Sequence, residues 1–131
     1  MGQSVNRGVL DTSVLIADDV APLPGSLAIS TVSLAELHFG VLVATDDDAR
    51  ARRLSRLLAV QRTFDALPVD EWVAESYGIL AAGLVRQGRT QRPRAMDLLI
   101  AATARAHDAV IYTRNESDFH GLEHLVPIRV V

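Results

Sequence analysis

The sequence predicts an α/β fold, a three-layer α/β/α sandwich with a central, mostly parallel sheet. Two observations predict it: short apolar runs alternate along the chain with longer stretches of helical period, and those stretches carry apolar stripes. A helix connecting parallel strands must bury its stripe against a sheet face, so helices end up on both faces. At 131 residues, 49% of them hydrophobic, the chain can bury about two thirds of the surface its extended form exposes.

The first strand is Val9-Leu10, followed by Asp11 and a short helix opening near Ser13. The PLPG turn from Pro22 to Gly25 leads to a second strand at Ala28-Ile29. From Val32 to Ala44 the period turns helical, with Leu34, Leu37 and Val41 on one face. Thr45 with Asp48 reads as the cap of a long Arg-rich helix reaching about Arg62. Ala66 to Val69 is a third strand, and Asp70 caps a helix that runs to Gly88, placed as a C′ glycine. RTQRPR is a loop in which Pro93 suits the first turn of the next helix, MDLLIAATARAH. Ala109 to Thr113, AVIYT, is a strand, and Ile128 to Val131 the last. With no repeat, low-complexity tract or long linker, residues 1–131 read as a single domain.

Composition narrows the function. The absence of cysteine removes disulfides, thiolate metal sites and cysteine nucleophiles, and suits a reducing cytoplasm. MGQSVNRGVL has no charged-then-apolar signal layout and no Ser or Thr at position 6 for myristoylation. No apolar run nears the roughly 20 residues of a membrane span. Net charge is −3, so nucleic-acid binding would have to rest on local patches. All 13 basic residues are Arg, whose planar fork matches phosphate. Arg50, Arg52, Arg53 and Arg56 crowd one helix, where they read as a solvated face balanced by Asp46 to Asp48 or as a protein-binding surface. Arg92 and Arg94 precede Asp97 and are candidate phosphate grips. His120 and His124 have the spacing of a helical zinc pair, which Gly121 between them disfavours. Trp72 and Tyr77 read as core or dimer packing.

Four carboxylates each have an ordinary structural explanation. Asp11 can cap the short helix after it. Glu36 can close a capping box with Ser33, although Ser30 or Thr31 would cap equally well and leave it deeper in the helix. Asp97 falls in a first turn, where the helix dipole favours it, and Asp118 lies in a loop. Together they make a pattern. Asp11, Asn115 and Asp118 follow strands, while Glu36 and Asp97 open helices, so all can meet on one rim of a parallel sheet. Two bare charges about 4 Å apart repel by roughly 4 kcal/mol at an effective dielectric near 20. With no Lys in the chain and no Arg adjacent to Asp11, Glu36 or Asp97, a hard divalent cation is the simplest counter-charge, and Mg²⁺ or Mn²⁺ prefers such oxygens.

Leu10-Asp11-Thr12-Ser13, Ser33-Leu34-Ala35-Glu36-Leu37 with Gly40, Asp97-Leu98-Leu99-Ile100-Ala101-Ala102-Thr103-Ala104 and Thr113-Arg114-Asn115-Glu116-Ser117-Asp118-Phe119 resemble, in order and spacing, the motifs of PIN-domain ribonucleases, in particular VapC-type toxins. The resemblance implies a PIN-like sandwich, an acidic Mg²⁺ or Mn²⁺ site, endonucleolytic RNA cleavage, a homodimer and a cognate antitoxin. It assigns Asp11, Glu36 and Asp97 to the metal, and Thr12 or Ser13 to a supporting polar place. Many relatives carry Asp where this chain has Asn115, so Asp118 is expected to supply the missing charge and Asn115 to orient a water or touch RNA. Two other readings stand beside it. A receiver-like phospho-acceptor domain would need a Lys near its phosphate, and a non-catalytic RNA- or protein-binding module would bind without cutting.

Overall fold

The computed structural model describes residues 6–131; the first five residues of the stretch read for a signal layout lie outside them. Strands β1 (Arg7–Leu10), β2 (Ser26–Ser30), β3 (Asp65–Leu67), β4 (Val110–Thr113) and β5 (Ile128–Val130) form one sheet. Their order is β3-β2-β1-β4-β5 and every pairing is parallel. The helices are α1 (Thr12–Leu15), α2 (Thr31–Leu42), α3 (Asp47–Thr63), α4 (Glu71–Arg86) and α5 (Ala95–Ala106), with 3₁₀ turns at Arg92–Arg94 and Glu116–Phe119. This is the expected α/β sandwich.

The two-residue period of the strands sorts the core into two layers. Val9 and Ile111 pair in register and face α4 and α5, where Val73, Leu80, Leu84, Leu98 and Ala101 are buried. Leu10, Tyr112 and Ile29 face the other way, onto Val14, Leu37, Leu57 and Val60 of α1, α2 and α3. Tyr77 packs against the first layer, whereas Trp72 is 64% exposed and belongs to no core.

Local chemistry moved some boundaries. The long helix is capped by Asp46, which accepts from Ala49 N at 2.8 Å, and not by Thr45; Asp47 and Asp48 then fill the first turn, where the dipole favours them. Strand β3 begins one residue early and stops before Pro68, which has no N–H for the ladder. Pro93 lies in the 3₁₀ turn that leads into α5 and not in α5 itself. Asp70 caps α4 as expected, and Gly88 takes the left-handed φ of +76° just past its end. At Gly121, φ is +95°, so His120 and His124 share no helix.

Strand order reverses direction between β1 and β4. In open parallel sheets a crevice forms at that switch point, outside the carboxyl ends of the strands. Asp11 leaves β1 and Asn115 leaves β4 at that point.

Candidate active site

Asp11 extends the sheet by one step, its N–H donating to Tyr112 O at 3.0 Å. Its side chain then turns to cap α1, Oδ1 accepting from Ser13 N at 2.7 Å and from Ser13 Oγ at 2.5 Å. Oδ2 accepts from Thr113 Oγ1 at 2.6 Å. Both hydroxyls are themselves anchored on the exit from β4, since Ser13 Oγ accepts from Arg114 N and Thr113 Oγ1 from Asn115 N, each at 2.9 Å. The carboxylate is thus 3% exposed and held by three donors. A carboxylate has about four lone-pair positions, so one is left for the cleft. The capping role and a functional role coexist here, because the cap engages only one oxygen.

Glu36 does not close a capping box. Ser30 caps α2 by accepting from Val32 N at 3.0 Å, which starts the helix at Thr31 and places Glu36 in its second turn. There Thr12 Oγ1 donates to Glu36 Oε1 at 2.5 Å and lies 3.0 Å from the buried Ser33 hydroxyl. The expected supporting place of Thr12 and Ser13 is therefore divided: Ser13 serves Asp11, and Thr12 serves Glu36.

Asp97 enters from the first turn of α5. Its carboxyl is pushed up to about 6, first by desolvation, then by the charges of Asp118, Glu36 and Asp11, with only Arg94 acting against them. Asp118 sits on the Glu116–Phe119 turn, anchored by Phe119, which is fully buried. The side chain of Asn115, at the N-cap of that turn, makes no capping hydrogen bond, and Asp118 lines the cleft.

Asp11, Thr12, Ser13, Ile16, Glu36, Asp97, Asn115 and Asp118 line one cleft of about 200 Å³. Every site acid read from the sequence is thus brought to one place. Among the described residues no three acidic or imidazole groups close on a single point at ligand spacing; they surround the cleft. The donor set consists of hard oxygens, and the carboxyl of Asp97 is raised by desolvation and by the neighbouring acids, an environment that a hard divalent cation suits.

The arginines divide. Arg92 is exposed on the 3₁₀ turn before α5. Arg94 donates from Nη2 to Asp118 O at 2.6 Å and from Nη1 to His120 O at 2.8 Å, so it braces the turn carrying Asp118 instead of reaching outward as a phosphate grip. Sequence reasoning missed this brace, and it did not single out Thr113. The signal for Thr113 was its place at the end of AVIYT, one residue beyond the Leu10–Tyr112 pair and so opposite Asp11.

A five-stranded parallel sheet with an acidic crevice at its switch point defines the class, an α/β sandwich that gathers carboxylates at its strand ends, and comparison names the family. The PIN-domain family model matches residues 8–124, and the chain belongs to that family. Over its whole length it is 38% identical to Ribonuclease VapC5 of Mycobacterium tuberculosis (strain ATCC 25618 / H37Rv), covering 98% of that protein. It is 41% identical to Ribonuclease VapC8 of the same species over 76% of this chain and 92% of that protein. The crystal structure of VapBC-5 from M. tuberculosis, a member of the VapBC family of toxin-antitoxin systems, superposes with a TM-score of 0.83 at 39% identity, covering 95% of this chain and 97% of that one. The resemblance carried by the sequence motifs is borne out.

Proposed function

We propose that this chain is a divalent-metal-dependent endoribonuclease, acting in the cytoplasm as the toxin of a toxin–antitoxin pair. The observation that carries the reading is the cleft itself: Asp11, Glu36, Asp97 and Asp118 facing one another at the switch point of the sheet. The ribonuclease names of its VapC relatives give the substrate class.

Asp11, Glu36 and Asp97 would hold Mg²⁺ or Mn²⁺. Such an ion, when bound, lowers the pKa of a water and neutralises charge developing on a phosphodiester. The residues of the chain supply the rest. Ser13 and Thr113 fix the Asp11 carboxylate, and Thr12 fixes Glu36, so the acids need little reorganisation on binding. Asp118 accepts a hydrogen bond from the attacking water, and the Asn115 amide orients that water or meets the RNA backbone. Arg92, exposed on the turn that leads into α5, grips a phosphate of the strand. Hydrolysis in this geometry leaves a 5′-phosphate and a 3′-hydroxyl.

Exposed apolar residues suit partner proteins. Phe39, Leu42 and Val43 are 66%, 78% and 48% exposed at the end of α2, and Trp72 and Val85 are exposed at opposite ends of α4. A cognate antitoxin and a second copy of the chain would cover them, since patches of this kind mark interaction sites. No helix among the described residues is long and apolar enough to cross a membrane.

The test is incubation of the purified protein with a mixed RNA pool in Mg²⁺, Mn²⁺ or EDTA, followed by sequencing of the new ends. Discrete internal cuts with either metal and none in EDTA are expected. An intact pool under all conditions, or equal cutting in EDTA, overturns the reading.

A further inference from the structure

Thr12, Ile16 and Glu36 line two clefts at once. On one side they close the acidic cleft; on the other they open a second cleft of about 360 Å³, continued by Leu37, Gly40, Arg53 and Arg56. The two clefts form one trough, acidic at one end and basic at the other.

The basic end is built, not incidental. Nη1 of Arg53 donates to Gly40 O at 2.6 Å, which pins the guanidinium over α2, and Arg53 has no acidic partner among the described residues. Arg56 pairs at 2.9 Å with Asp18, whose side chain is 90% exposed, and a pair so open to water is readily exchanged for a phosphate. Of the arginines crowding this helix, Arg50 is turned away to Ala44 O. The expected solvated face therefore contains two members that look into the trough.

Gly40 supplies a second observation. A glycine inside a helix weakens it, and here a Cβ would meet nothing within 4 Å. Packing within the protein does not demand glycine at this position, so the bare backbone leaves clearance on the floor of the trough. Glu36 and Gly40 lie one turn apart on α2, a rise of about 6 Å, comparable with the step between neighbouring phosphates of an extended strand.

We propose that this trough carries single-stranded RNA flanking the scissile phosphate, with Arg53 and Arg56 holding adjacent phosphates and Ile16 and Leu37 offering an apolar wall to a base or ribose. The identity of the ligand rests on the nuclease reading above; the trough and its charge do not.

The test is binding of a fluorescein-labelled single-stranded RNA pool to the full chain in EDTA, read by anisotropy over a salt series. Arg53→Gln with Arg56→Gln should weaken binding several-fold and flatten the slope of log affinity against log salt by about 1.4, because each phosphate contact on a single strand contributes about 0.7. Gly40→Leu should weaken binding while leaving the thermal midpoint unchanged or raised, which separates blockage from misfolding. Wild-type affinity and slope in both variants overturn the proposal. Unchanged RNA binding with weakened association of a co-expressed partner protein also overturns it, by assigning the trough to a protein. If the wild type binds RNA with the expected slope but cuts none in Mg²⁺ or Mn²⁺, the nuclease reading fails and the trough stands.

Discussion

Thr113 and Asp11, 102 residues apart in sequence, are joined by a 2.6 Å hydrogen bond from the Thr113 hydroxyl to Oδ2, and that hydroxyl accepts in turn from the Asn115 amide. The last residue of β4 thereby sets the orientation of the first acid of the cleft. Thr113→Val keeps the shape and removes the donor from a buried carboxylate, which costs about 1–3 kcal/mol. Chemical denaturation should show that loss, with cleavage reduced in parallel, and Thr113→Ser should restore both. Wild-type cleavage in the Val variant would show that Ser13 alone suffices to hold Asp11.

Asp97→Asn should reduce RNA cleavage to background while the protein stays folded. It should also act on stability with a definite sign. The raised carboxyl, near 6 against 3.8, binds a proton in the folded state more readily than in the unfolded state. Metal-free wild type therefore loses stability as pH rises from about 4 through about 6. The Asn variant has no such loss, so its thermal midpoint in EDTA should equal that of wild type near pH 4 and exceed it above pH 6. A gap that shrinks as pH rises would refute the raised carboxyl of Asp97.

Asp118→Asn tests whether this acid completes the site left short of charge at Asn115. Asn keeps an oxygen that can hold the turn and removes a charge that repels Asp97, so thermal stability should be unchanged or slightly raised while cleavage falls by an order of magnitude or more. Wild-type rates would leave the site with three acids.

Arg94→Lys keeps the positive charge but cannot make the forked contact with the carbonyls of Asp118 and His120. The turn carrying Asp118 should loosen, seen as faster amide exchange over residues 116–120. The turnover rate should fall more than the apparent affinity for RNA, as suits a positioning residue. A change confined to RNA affinity would instead make Arg94 a phosphate grip.

The sandwich and its acids were legible in the sequence because both depend on short-range signals. Short apolar runs such as AVIYT and striped helices such as MDLLIAATARAH have few ways to pack. Asp11 and Asp97 were recognisable from their places at a strand end and a helix start. The capping box at Ser33 and Glu36 misleads for a related reason: local pattern cannot choose between Ser30 and Ser33 as the first residue of a helix. The tertiary contacts chose Ser30, where β2 ends, and released Glu36 to Thr12 across the crevice. Composition by itself determined that the acids have no lysine to neutralise them and that their counter-charge must come from elsewhere. Only the tertiary structure decided which hydroxyl serves which carboxylate, that Arg94 braces a turn, and that Arg53 and Arg56 border the same trough as Glu36. The relations of Thr12 to Glu36, Arg94 to Asp118 and Thr113 to Asp11 join residues 24 to 102 positions apart, and hydrogen-bond geometry at such separations is set by how the layers pack, which no local spacing encodes.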